Sequence, residues 1–110
     1  MLKAGKSYDE VCKSFRWKIP EHYNIGVDIC DKWAAQPDRP ALIYENESGQ
    51  VERYTFAELK RLSNRLANGL KANGIEPGDR FGILLPQCPE TAISHIAAYK
   101  IGAIAIPLFT

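Results

Sequence analysis

Hydrophobic residues follow two patterns along this chain, and the change between them falls near residue 80. Ser7 to Phe15 reads as a short helix, with Ser7 three residues before Glu10 at capping-box spacing and Val11 and Phe15 on one face. Arg16 to Glu21 is extended around Pro20. Asn24 is placed to cap a second helix, in which Val27, Cys30, Ala34 and either Ile29 or Trp33 make an apolar stripe. Pro37 and Pro40 stop it. Ala41–Glu45 and Val51–Tyr54 read as two strands about the polar link Asn46-Glu47-Ser48-Gly49-Gln50, which predicts an antiparallel hairpin.

The most regular helical pattern begins at Thr55, which forms a second capping box with Glu58. Phe56, Leu59, Leu62, Leu66 and Leu70 recur at helical spacing, with Lys60, Arg61, Arg65 and Lys71 assigned to water. Asn73-Gly74 supplies the stop, and Pro77 follows. Phe81-Gly82-Ile83-Leu84-Leu85 is then continuously apolar, the pattern of a strand in a parallel sheet. Pro89 and Glu90 suit a helix start, and Ala92, Ile93, Ile96, Ala97 and Ile101 give its buried face up to Gly102. Ala103 to Pro107 is a second apolar strand, completing a βαβ unit. The fold class is therefore α/β. Residues 1–22 form a less regular extension, and residues 79–110 begin a parallel sheet. A two-stranded parallel sheet leaves edges and an apolar face open, so self-association through that surface is expected, and the pattern reads as part of a larger architecture.

Composition narrows the function classes. The apolar share is 45% and the charged share 25%, ordinary for a folded chain. Fourteen basic and 13 acidic residues leave a net charge of +1, which gives no electrostatic case for nucleic acid or an anionic membrane. The longest nearly apolar run, Ile101 to Phe109, is about half of a membrane span, and Pro107 interrupts it. The start of the chain lacks the apolar core of a secretory signal. Cys12, Cys30 and Cys88 are odd in number and far apart, which argues against a disulfide framework or zinc site and favours a reducing, cytoplasmic location. His22 and His95 lack partners at ligand spacing, so no metal site is assigned. At Cys88 a helix start would favour a thiolate but Glu90 opposes it, so a capping or packing role is expected.

Three stretches carry a family resemblance. They are Gly78-Asp79-Arg80-Phe81-Gly82-Ile83-Leu84-Leu85-Pro86-Gln87-Cys88-Pro89-Glu90 with Tyr99-Lys100-Ile101-Gly102-Ala103-Ile104-Ala105-Ile106-Pro107, then Tyr54-Thr55-Phe56-Ala57-Glu58-Leu59 with Asn64-Arg65-Leu66-Ala67-Asn68-Gly69-Leu70, and finally Tyr23 to Ala34. In order and spacing they resemble the early part of AMP-forming acyl-CoA synthetases of the adenylate-forming superfamily, of medium-chain and acetyl type. The resemblance covers roughly residues 15–110 and implies the N-terminal portion of an AMP-binding domain. It implies an acid–thiol ligase in which a carboxylic or fatty acid is activated by ATP and Mg as acyl-AMP and passed to coenzyme A. The Ser/Thr/Gly-rich phosphate loop that such chemistry needs is absent, as are G-x-x-x-x-G-K-[ST] and G-x-G-x-x-G, so no catalytic residue is assigned and residues 1–110 alone are expected to be inactive. Phe109 and Thr110 are the substrate-binding residues the resemblance implies, on the coenzyme A side. Thr110 stands where acetyl-type members tend to have glycine. The remainder of the parent enzyme and small-molecule substrates are the expected partners. An adenylation domain of another branch, or a stand-alone α/β binding module, are the competing readings.

Overall fold

The computed structural model describes residues 7–108. Helix α1, Tyr8–Ser14, begins where the Ser7 side chain accepts from the Glu10 N–H. It buries no side chain, and the chain leaves it in extended backbone at Phe15 (φ −72°, ψ 134°). Asn24 Oδ1 accepts from the Val27 N–H and starts α2, Ile25–Ile29. Here the expected stripe holds only in part: Cys30 is buried and Trp33 and Ala34 are half-buried, but Val27 is exposed. The backbone breaks at Cys30 (φ −125°, ψ −63°) and resumes as a 3₁₀ turn over Asp31–Ala35. In α2, before the break, Gly26 faces inward and Val27 and Ile29 stay exposed, and Cys30 at the break is buried. Gly26 faces α4, Pro89–Lys100, at a distance no side chain fits: a Cβ there would stand 2.6 Å from Lys100 Cγ and 3.1 Å from the Ile96 carbonyl oxygen.

Strands β1, Pro40–Glu45, and β2, Val51–Thr55, pair antiparallel, with an irregularity between Pro40 and Leu42. Asn46 Oδ1 closes the link by accepting from the N–H groups of Ser48 (3.0 Å) and Gln50 (2.9 Å). Helix α3, Phe56–Ala72, carries both halves of the Thr55–Glu58 capping box. Its most buried positions are Leu59, Ser63 and Ala67, with Phe56, Leu62 and Leu66 packed beside them. Small residues thus hold the centre of the stripe, because α4 and the 3₁₀ turn both pack on that face.

Strands β3, Arg80–Leu84, and β4, Ile104–Leu108, are parallel, and α4 crosses between them. Pro89 is the first helical residue of α4, and Ile93, Ser94, Ile96, Ala97 and Ala98 are buried along it. Ala92 and Ile101, expected in that face, are only half-buried. Gly102 ends the helix at φ 74°, with the Pro77 ring 3.4 Å from where a Cβ would be, so this position wants glycine twice over. The Gly78 N–H to Gly102 carbonyl bond (2.9 Å) then sets the register of the two strands. The sheet is covered on one face only. Ile83 is 3% exposed beneath the helices, whereas Leu84, next in the strand, is 62% exposed on the other face.

Candidate functional site

In open parallel sheets ligands collect beyond the carboxyl ends of the strands. At that end Ile83, Leu85, Pro86, Gln87, Thr91 and Leu108 wall a crevice of about 260 Å³. Its side-chain lining is apolar apart from the Gln87 amide and the Thr91 hydroxyl. The hydroxyl is committed, donating to the Pro86 carbonyl oxygen at 2.7 Å. The adjoining start of α4 does not suit a phosphate. Pro89 has no N–H, the Thr91 N–H is bonded to the Cys88 carbonyl oxygen at 3.1 Å, and Glu90 brings negative charge into the first turn. The crevice therefore favours an uncharged, partly apolar group. Phe109 and Thr110, the residues assigned to substrate from sequence, follow directly in the chain but lie outside the described residues.

Cys88 stands at the N-cap position of α4 without making a side-chain cap bond. Its sulfur meets Thr91 Oγ1 at 3.6 Å and lines a cleft of about 380 Å³ between β1 and α4, with Leu42, Tyr44, Gln87 and His95. His95 Nδ1 is 3.3 Å from the Tyr99 hydroxyl, one helical turn on. No base meets the Cys88 thiol there, so the packing role expected for it fits this environment. Cys12, Cys30 and Cys88 are all free. Among the described residues no group of three or more His, Cys, Asp and Glu side chains is placed to hold a metal ion. Among the same residues no helix is long and apolar enough to cross a membrane.

The densest polar cluster lies at the other end of α4, and sequence patterning did not find it. Lys100 Nζ, on a side chain only 8% exposed, sits 2.6 Å from Asp31 Oδ1. It also donates to Asn64 Oδ1 (2.7 Å) and Ser63 Oγ (2.9 Å). Ser63 itself is fully buried and donates to the Leu59 carbonyl oxygen at 2.6 Å. From the other side Asn24 Nδ2 donates to the Lys100 carbonyl oxygen at 3.0 Å. One ammonium group thus ties the 3₁₀ turn, α3 and α4 together. Burial pushes the neighbouring Cys30 thiol up, and the Lys100 charge only partly offsets it. A second perturbed group is Tyr54, whose hydroxyl donates to Glu52 Oε2 at 2.5 Å and is pushed up to about 12 by that bond, with Glu90 and Glu58 adding to it. In the Lys100 cluster Asp31 Oδ1 is buried against the Lys100 charge but accepts no hydrogen bond.

Comparison with known proteins adds what geometry alone cannot. The chain is 32% identical over 108 residues to the human mitochondrial acyl-coenzyme A synthetase ACSM3, covering 92% of this chain and 18% of that protein. It is 35% identical over 96 residues to the rat mitochondrial acyl-coenzyme A synthetase ACSM5, covering 81% of this chain and 17% of that one. Among solved structures, an acyl-CoA synthetase from Brucella canis superposes with a TM-score of 0.87 at 30% identity, over 94% of this chain and 20% of its own. Acetoacetyl-CoA synthetase from Streptomyces lividans follows at 0.73 and 32%, over 77% of this chain and 13% of its own. The chain thus spans about a fifth of the length of these relatives. The α/β arrangement of hairpin, long helix and βαβ unit is the one these enzymes share, and the alternative of an unrelated small binding module loses its ground. The AMP-binding enzyme profile matches residues 30–110, from the buried Cys30 through the whole βαβ unit, and the chain belongs to that family.

Proposed function

We propose that these residues are the opening part of the large domain of an AMP-forming acyl-CoA synthetase. Such a ligase activates a carboxylic or fatty acid as acyl-adenylate with ATP and Mg and passes the acyl group to coenzyme A. The observation that carries this reading is the likeness to acyl-CoA synthetases in both sequence and fold across nearly all of the chain. The role of residues 7–108 in it is scaffolding. They build the first parallel strands and present a crevice of apolar character at their carboxyl ends. The anion-averse start of α4 supports leaving phosphate handling to other parts of the enzyme. Phe109 and Thr110, next in sequence after Leu108, we assign to the coenzyme A side, with the Phe109 ring for the nucleotide end. The remainder of the enzyme is the partner for the bare face of the β3–β4 sheet. Free cysteines suit a reducing compartment, for which we propose the cytosol. The human and rat relatives named above are mitochondrial, so cell fractionation decides between the cytosol and the matrix.

The test uses two half-reactions. Residues 1–110 alone should give neither ATP–pyrophosphate exchange nor thioester formation with acetate, butyrate or octanoate, and turnover above a buffer blank would place the chemistry inside this chain. In an enzyme extended through the phosphate loop, Phe109→Ala should raise the KM for coenzyme A several-fold and leave ATP–pyrophosphate exchange nearly unchanged. Equal loss in both half-reactions would show that Phe109 only supports the fold.

A further inference from the structure

The dipeptide Asn-Gly occurs twice in this chain, in Ala67-Asn68-Gly69-Leu70 and in Ala72-Asn73-Gly74-Ile75. The two neighbourhoods are nearly the same in sequence, and the fold treats them differently. An asparagine before glycine is prone to lose ammonia without an enzyme. Glycine has no side chain to keep its backbone nitrogen away from the asparagine side-chain carbonyl carbon. Asn68, Gly69, Asn73 and Gly74 are all exposed, and a Cβ at either glycine would meet nothing within 4 Å. Asn68 and Gly69 lie inside α3, where the Gly69 N–H belongs to the helical ladder. Asn73 is the C-cap of α3 (φ −93°, ψ 14°), and Gly74 turns the chain out of the helix at φ 87°. The helix end is a Schellman motif. The Gly74 N–H donates to the Lys71 carbonyl oxygen at 3.0 Å, and the Ile75 N–H to the Leu70 carbonyl oxygen at 3.1 Å. Asn73 adds a side-chain clasp, its Nδ2 donating to the Gly69 carbonyl oxygen at 2.8 Å beside its own backbone N–H at 3.1 Å.

We propose that Asn73 is a site of spontaneous deamidation gated by this cap, and that its conversion releases Asn68 to follow. In the step, the Gly74 backbone nitrogen attacks Asn73 Cγ, and the new C–N bond closes a succinimide ring. The Cγ–Nδ2 bond breaks, and ammonia leaves with the proton given up by the Gly74 N–H. Water then opens the ring at one carbonyl or the other, to aspartate or to isoaspartate. Two bonds hold the reaction back, Gly74 N–H to Lys71 and Asn73 Nδ2 to Gly69. Both belong to the last turn, and helix ends open far more readily than interiors. Freeing the Gly69 nitrogen needs unwinding deeper into α3, so Asn73 reacts before Asn68. The product then weakens the cap. Aspartate has no donor for the Gly69 carbonyl oxygen and sets negative charge against the negative end of the helix dipole. Isoaspartate adds a methylene to the backbone inside the motif. Either change loosens the turn that protects Asn68-Gly69. The inference uses only bonds within α3 and its cap and does not depend on the ligase reading.

The test is peptide mapping by mass spectrometry on the chain held at mildly alkaline pH and physiological temperature, sampled over days, with and without denaturing urea. In the folded chain the mass gain of deamidation is expected first at Asn73, with Asn68 several-fold slower. Urea should speed both sites and erase the difference between them, since their sequence neighbours nearly match. Asn73→Asp starts from the product and should speed Asn68 several-fold. Asn73→Gln keeps an amide donor and should leave Asn68 near the parent rate. Residue 73 is exposed at a helix end, so both variants should stay folded at the incubation temperature, which circular dichroism checks. Equal rates at the two sites in the folded chain, a faster Asn68, a folded chain that deamidates as fast as the urea-treated one, or an Asn68 indifferent to Asn73→Asp would each overturn the proposal.

Discussion

Removing the Asp31 carboxylate is the most informative single perturbation of this fold. In Asp31→Ala the Lys100 ammonium keeps Ser63 Oγ and Asn64 Oδ1 as acceptors but loses its counter-charge, while remaining 8% exposed. Breaking a buried ion pair from one side costs about 3–5 kcal/mol, because the remaining charge is left uncompensated. The surviving hydrogen bonds to Ser63 Oγ, Asn64 Oδ1 and, at 3.5 Å, the Lys60 carbonyl oxygen, with the 18% exposure of Asp31, move the expectation to the low end, about 3 kcal/mol. That is a large share of a total stability on the order of 5–15 kcal/mol. Lys100→Met should cost a comparable amount, since Asp31 Oδ1, which accepts no hydrogen bond, then loses its counter-charge as well. The double variant removes both charges, and the pair energy is returned, so the double-mutant cycle should show coupling of about 2 kcal/mol. Urea unfolding followed by circular dichroism measures all four chains, provided the slope with denaturant is unchanged. A cost for Asp31→Ala below about 1 kcal/mol, the range of exposed ion pairs, would refute the reasoning. So would additivity within about 0.5 kcal/mol.

Two further outcomes follow from the same contacts. Gly26→Ala raises helix propensity but drives a Cβ to 2.6 Å from Lys100 Cγ and 3.2 Å from the Lys100 backbone nitrogen, so it should destabilise by about 1–3 kcal/mol and lower Tm by several degrees; a higher Tm would show that α2 and α4 can separate at no cost. Tyr54, pushed up to about 12 by its bond to Glu52, should be among the last of the five tyrosines to ionise in an ultraviolet titration, and Glu52→Gln should bring it down. Its raised folded value means the bond's contribution to stability is complete below about pH 10, the unfolded value, and is lost as pH rises through about 12; a Tyr54 that titrates with the other tyrosines would remove that bond from solution.

The elements with strong local signals were legible before any coordinates. Thr55 with Glu58, Asn46 to Gln50, and Pro89 before an apolar face each state a structure through residues a few positions apart. The break at Cys30 was not legible in that way. Residues 25–34 carry a plausible helical stripe, and what overrides it is the approach of α4, some seventy residues later, to Gly26. The same holds for the Lys100 cluster. Asp31, Ser63, Asn64 and Lys100 read separately as ordinary helix-surface residues, and only the packing of three helical segments brings them within hydrogen-bond distance. At the site, the crevice position followed from the rule for parallel sheets. Its aversion to anions was half-visible in Pro89 and Glu90, and the commitment of the Thr91 hydroxyl needed the coordinates.

These two ends of α4 divide the labour of the unit. At its carboxyl end, Lys100 and its acceptors fix the helix against α3 and the 3₁₀ turn, and every polar atom involved finds its partner within the cluster or its counter-charge. At its amino end, the helix presents a proline, a carboxylate and a committed hydroxyl, and the strands beside it stop at an apolar crevice. A helix held rigidly at the far end carries its near end as a fixed wall, so the crevice geometry depends on contacts about 18 Å away, the length of a twelve-residue helix at 1.5 Å per residue. Loosening Lys100 should therefore reach the crevice through the tilt of α4, and Gly26, whose missing side chain lets Lys100 lie flat, is part of the same support. Chemistry placed on such a wall can change with the residues beyond Leu108 while the scaffold beneath it stays the same.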